Sequence, residues 1–313
     1  MAARLSRVVL ITGILTARLA LAAVPARVAI IKTSALTPFN QAADAIIEVL
    51  RNDPLQPEIL TFDLEGDEAR AAGVLAEVRR LNPRLVVVVG SLATAVALKE
   101  LPSTPIIFSM VLYPRQSGFL ADAHRNVTGV SLDVPPAVQF GYLRRLFPAA
   151  HRIGVLYNPS ETGSIVEEAR SAAAAHGFTL VPESVADPAQ AVAALGTLME
   201  ECDAIWSVAD SHVFTPQTTS ALLLAATRRR VPLFGLSTAQ VRAGAVAALY
   251  CDYADVGKQT GESVLRALRG EAPDTIEVSP PRKAALALNL RTAEHLGLHI
   301  ADDLQAQASE VIR

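Results

Sequence analysis

Leu85 to Lys99, LVVVVGSLATAVALK, is the stretch that most narrows what this chain can fold into. Five apolar, mostly β-branched residues in a row fit a strand covered on both faces, the situation found in parallel sheets flanked by helices. Gly90 and Ser91 turn the chain, and the Ala-rich segment behind them reads as a helix beginning at the strand's carboxyl end. In open α/β sheets that end is where ligands bind. Such a helix start would turn the backbone N–H groups of Ser91 to Thr94 toward an anionic group, with no cationic side chain required.

The rest of the first half keeps the same rhythm. Strands are expected over Val28–Lys32, Glu58–Asp63, Leu85–Gly90 and Pro105–Met110, with helices over Phe39–Arg51, Asp67–Leu81 and Leu92–Glu100. The order then recurs: Arg152–Tyr157, Thr179–Glu183, Ala204–Val208 and Val231–Gly235 answer the four strands in turn. Corresponding strands lie about 120–130 residues apart, beyond the lengths of solenoid repeats. The expected fold is α/β, with two similar doubly wound parallel-sheet lobes joined by a multi-crossover hinge.

The boundaries that follow are a leader over 1–23, an N-terminal lobe over 27–130 with a return segment near 247–290, and a C-terminal lobe over 131–246 with part of 250–285. A helical segment over 291–313 closes the chain. Ala247–Cys251, the helix over Ala254–Arg269, Thr275–Val278 and Ala285–Asn289 are more than one lobe needs. The chain is therefore expected to pass between lobes more than once.

With 313 residues, 51% of them hydrophobic and 19% charged, the chain can bury a large core. A net charge of -3 with 5% aromatic residues argues against a nucleic-acid binder, which would show a basic face with stacking side chains. Arg4 and Arg7 precede the mostly apolar Val8–Ala17, and Ala20-Leu21-Ala22 offers a small-x-small cleavage pattern, the outline of a secretory signal peptide interrupted by Arg18. No later run is long enough to span a membrane. The mature protein is thus expected to be exported, periplasmic and not membrane-spanning. Cys202 and Cys251 are read as buried free thiols, with a disulfide as the alternative the compartment would permit.

Several motifs, taken in order, resemble a known family. They are Gly90-Ser91-x-Ala93-Thr94, Pro105-Ile-Ile-Phe108, Asn126-Val-Thr-Gly129-Val, Arg152-Ile-Gly-Val-Leu-Tyr157-Asn158-Pro159, Gly244-Ala-Val-Ala, Asp252-Tyr253 with Gly257, and Asn289 followed by Ala293-x-x-Leu296-Gly297-Leu298. Together they resemble the substrate-binding proteins of bacterial ABC importers with the type I periplasmic-binding fold, in a branch that includes binders of tryptophan and other aromatic amino acids. The resemblance covers about the whole mature chain. It implies a monomeric binding protein without cofactor that hands a small-molecule ligand to an ABC permease with its ATPase subunits. Two departures stand out: Tyr113-Pro114 replaces an Asp-Pro pair after the fourth strand, and Ala209-Asp210-Ser211 replaces Thr-Asp-Asn.

In a two-lobed arrangement the strand-end loops of both halves face one cleft. Ser34, Ser91, Thr94 and Tyr113 come from the first half, Asn158, Ser164, Asp210 and Ser237 from the second, and Tyr253 from the return segment. Neutral donors with one acid suit a zwitterion: hydroxyls and N–H groups for a carboxylate, Asp210 for an ammonium, Tyr113 and Tyr253 as walls. The competing role of Ser91, Thr94 and Ser237 is helix capping, and that of Asn158 is turn formation.

Two chemical alternatives are weaker. Gly235-Leu236-Ser237-Thr238-Ala239 mimics a hydrolase nucleophile elbow with His295 downstream, but no Gly run for an oxyanion hole occurs in the first half. His295 and His299 have i, i+4 spacing broken by Gly297, with no Glu between them, so no metal is expected. Neither a catalytic residue nor an enzymatic activity is assigned. A sensor that presents its ligand to a membrane receptor would need the same cleft and remains the alternative role.

Overall fold

The computed structural model describes residues 25–121, 125–215 and 218–313. The expected leader over 1–23 lies outside the described residues. The first lobe begins with β1 (Arg27–Lys32), α1 (Thr37–Asn52), β2 (Glu58–Asp63), α2 (Glu68–Leu81), β3 (Leu85–Val89), α3 (Ser91–Glu100), β4 (Ile106–Val111) and β5 (Val127–Ser131). Its five-stranded sheet is parallel throughout, in the order β2-β1-β3-β4-β5. All five residues of β3 are buried, so the LVVVV run is the centre of this sheet. Val127–Ser131, where no strand was expected, supplies a full fifth strand. Gly129 permits it, because a Cβ there would clash with the Phe108 ring at 2.5 Å.

The second lobe follows with α4 (Pro136–Leu146), β6 (Arg152–Tyr157), α5 (Pro159–Ala175), β7 (Thr179–Ser184), α6 (Ala191–Glu201), β8 (Ala204–Trp206), α7 (Thr219–Arg229), β9 (Leu233–Gly235), α8 (Thr238–Arg242) and β10 (Ala247–Cys251). After α9 (Tyr253–Leu268) the chain returns for β11 (Ala284–Asn289), α10 (Leu290–His295), α11 (Asp302–Gln307) and β12 (Glu310–Ile312). The seven strands run β12-β11-β10-β9-β8-β6-β7, with β10 and β11 the antiparallel pair.

The segment 247–290, expected as a return to the first lobe with part of 250–285 in the second, is divided as follows. Its two strands, β10 and β11, pair in the second sheet, while α9 packs on the first lobe against α1. The heptad-like face of α9 explains this: Val256, Val264, Leu265 and Leu268 join Val28, Ile30, Ile46 and Val87 in one buried cluster. Gly257 lets the helices meet, since a Cβ there would run into the Ala42 carbonyl. The closing segment 291–313 is not helical alone, because its last strand, β12, pairs with β11. Both cysteines are free and buried, so the disulfide alternative is not realised.

The two lobes are joined at three places: after β5, between β10 and α9, and between Ser279 and β11. At the last, Ser131 donates its N–H to the Ser279 carbonyl at 3.0 Å, which ties two of the crossings together. Cys251 donates its thiol to the Leu132 carbonyl at 3.0 Å and ties in the other.

Candidate functional site

A cavity of about 470 Å³ opens between the lobes beside these crossings. Leu112 to Gln116 line it from the first lobe, Ile165, Glu168, Ala209 and Leu236 from the second, and Leu132 to Pro136, Tyr250, Cys251, Tyr253 and Ser279 from the crossings. Its size is that of an ordinary small-molecule site.

Tyr113 is the side chain that reaches across. A register shift between Ser109 and Val111 interrupts the end of β4, and Met110 and Tyr113 both take left-handed backbone conformations, φ 60° and 49°. Residues other than glycine are held there only by their surroundings, and such strain gathers at binding sites. Here the Tyr113 N–H donates to Asp133 Oδ1 at 2.8 Å, while the Tyr113 hydroxyl accepts from the Ala209 N–H at 3.2 Å. Burial pushes the Tyr113 phenol well above its ordinary value, and raises Tyr253 as well.

Of the residues expected at the site, the structure brings Tyr113 and Tyr253 to the cavity wall. The others lie elsewhere or are taken up. Thr94 is fully buried and donates to the Gly90 carbonyl at 2.9 Å, which leaves no hydroxyl for a ligand. The N–H of Ala93 at the start of α3 donates to Thr33 Oγ1, so part of the expected anion site is already filled. Ser91 is exposed, Ser34 half-buried and Ser164 exposed, and none of the three lines the cavity. Ser237 caps α8 by accepting from the Gln240 N–H, and no hydrogen bond joins it to His295 among the described residues. Asn158 caps α5 through the Ser160 N–H and donates to the Val185 carbonyl.

Asp210 overturns the expected ammonium partner most directly. It is 2% exposed, and its carboxylate accepts from the Asn158 N–H and the Thr162 hydroxyl on one oxygen, and from the N–H groups of His212 and Val213 on the other. Every position a ligand could use is occupied by the protein's own donors. Asp210, Glu161 and His212 bring ligating atoms within 4.8 Å of one another. Glu161 is likewise engaged, by the Ser211 N–H and hydroxyl and by His212 Nδ1. Burial raises the Glu161 carboxyl, but these hydrogen bonds outweigh it and hold the group below its ordinary range. The three side chains belong to one hydrogen-bond network.

Two acids do line the cavity, Glu168 from the second lobe and Asp133 from the crossing after β5, neither of them among the expected site residues. Asp133 accepts the Tyr113 N–H. Burial pushes its carboxyl up to about 6, against the lowering effect of the Tyr113 N–H and the Ser131 hydroxyl, and the charge of Glu168 adds to the rise. A lone acid between a strand and Pro135-Pro136 carries no local signal of this placement. Beneath the cavity, Gln139 accepts from Trp206 Nε1 at 2.7 Å and donates to the Val134 carbonyl, fixing the crossing from below.

Two doubly wound lobes, three crossings and an interlobe cavity define a two-lobed solute-binding protein of the type I periplasmic-binding architecture. The model of the family described as ABC transporter substrate binding protein matches residues 28–312, and the chain belongs to that family. It is 22% identical over 221 residues to a tyrosine-binding protein of Clostridioides difficile (strain R20291), a match over 68% of this chain and 63% of that protein, just under two thirds of its length. Among solved structures, an ABC domain from Streptococcus pneumonia in complex with L-Trp is 23% identical, with TM-score 0.67 over 92% of this chain and 99% of its own. The ligand-free, open structure of a substrate binding protein from Clostridium difficile gives TM-score 0.76 at 19% identity with the same coverage. Among the described residues no helix is long and apolar enough to cross a membrane.

Proposed function

We propose that this protein captures a small solute, with aromatic amino acids the first candidates, in the cavity between its lobes and delivers it to an ABC permease. The carrying observation is the cavity itself, whose walls come from both lobes and whose remaining lining comes from the crossings. A solute that touches both walls binds the closed arrangement better than the open one, and only that difference shifts the equilibrium. Tyr113, Tyr250 and Tyr253 supply aromatic walls. The ligands printed for the relatives, tyrosine and L-Trp, support the candidate class. The role is capture without turnover, by a monomer in the periplasm whose leader is removed on export.

The test is native mass spectrometry of the exported protein, followed by thermal melts against amino acids, amines and polyols. A ligand at about 100 times its dissociation constant adds about 2.7 kcal/mol, a rise of several degrees. A retained or stabilising solute supports capture. A protein that arrives empty and shifts with nothing in a broad panel overturns it.

A further inference from the structure

Asp133 is the cavity's unanswered charge. Its Oδ1 accepts from the Tyr113 N–H, the Ser131 hydroxyl also favours its ionised form, and no Lys, Arg or His forms a salt bridge with it among the described residues. The charged side chains lining the cavity are Arg115, Asp133 and Glu168, and Arg115 is exposed to solvent. A half-buried carboxylate without a counter-cation is unfavourable when ionised, and such a group in a cleft marks a place where something else supplies the charge.

We infer that Asp133 is the recognition point for a protonated amine on the ligand, with Glu168 of α5 adding negative potential from the opposite lobe. The inference deepens the capture reading and rests on it. Asp210 has no free acceptor for this task, since its four hydrogen bonds come from the protein. Asp133 is also held in place: the left-handed turn at Tyr113 aims that residue's N–H at Oδ1, and no cationic side chain competes with a ligand for the carboxylate among the described residues. The tyrosines around it add ring faces that favour a cation further. The groups facing Asp133 are Tyr113 from the first lobe, Glu168 from the second and Cys251 from a crossing, none of them cationic. An ammonium entering this site would lower the carboxyl's proton affinity, so binding should release protons and weaken as the pH falls below about 6.

The test is calorimetry on the full protein with three probe sets. L-tryptophan and L-tyrosine carry both groups, tryptamine and tyramine keep only the amine, and indolepropionate and hydroxyphenylpropionate keep only the carboxylate. Myo-inositol serves as an amine-free polyol. Removing the amine should weaken binding about tenfold to hundredfold, and more than removing the carboxylate does. Asp133→Asn, shown folded by its melt, should lose affinity for the amine-bearing probes by a similar factor and leave the others unchanged. On the unaltered protein, titrations in buffers of different ionisation enthalpy should report proton release near pH 6. Deaminated probes or myo-inositol binding as tightly as the amino acids would overturn the inference and leave capture standing. So would an Asp133→Asn protein with undiminished affinity for tryptophan or tyrosine. If no probe of any set binds, the inference fails together with the capture reading for this ligand class.

Discussion

Asp210 and Asp133 both follow a strand, yet their surroundings give them opposite consequences for stability. Asp210 organises the loops after β6 and β8 by accepting four hydrogen bonds, two of them at 2.6 Å. Asp210→Asn turns an amide N–H₂ toward donors that had an acceptor. It should cost about 2–4 kcal/mol of stability, since each buried donor left unpaired costs about 1–3 kcal/mol. Chemical denaturation measures this, and an unchanged midpoint would contradict the network. Asp133 has the reverse sign. Its folded carboxyl sits at about 6 against an ordinary 3.8, so between those values the native state holds more protons than the unfolded one and stability falls as the pH rises. Asp133→Asn removes the buried charge and keeps an oxygen for the Tyr113 N–H. At neutral pH it should stabilise the ligand-free protein by roughly 1–2 kcal/mol, with the gain fading toward pH 4. Melts of both proteins across that range decide the matter. Tyr113 and Tyr253 were legible in the sequence as cleft residues, but Asp133 was not, nor were the partners that occupy Asp210. The donors that occupy Asp210 lie about 50 residues away at Asn158 and Thr162 as well as next to it. No local pattern reports such a pairing.

At the scale of elements, the α1–α9 contact depends on a missing side chain. Gly257 faces the Ala42 backbone, and Gly261 faces Val49 at 2.8 Å from where a Cβ would be. Gly257→Ala therefore separates two helices and should cost about 1–3 kcal/mol, read as a lower urea midpoint without a change in slope. A neutral or stabilising result, as helix propensity alone would give, would show that the helices have room. Strands with long apolar runs were legible, β3 above all, because burial on both faces writes itself into composition. β12 was not, since Glu310–Ile312 is too short to show a period and pairs along a single edge. The sheet assignment of β10 and β11 was also hidden, because an isolated strand carries no mark of which sheet it will join.

For the whole molecule, the three crossings place the axis of any lobe movement beside the cavity, and the Ala209–Tyr113 hydrogen bond spans the lobes there. Saturation with a bound ligand should reduce the radius of gyration in solution scattering, whereas equal values with and without ligand would exclude closure as the response. The repetition of strand order exposed two lobes in the sequence, but not how the chain divides itself between them. That division has a further consequence for how the protein is made. The first lobe gains α9 only after the second lobe has begun, and the second lobe gains β11 and β12 only after α9. During synthesis each half must wait, with an apolar face uncovered, for a piece encoded far downstream. A fragment ending at residue 131 would leave the α1 face bare, and one ending at residue 268 would leave β10 as an open edge. Each lobe is thus completed by a segment synthesised after the other has begun.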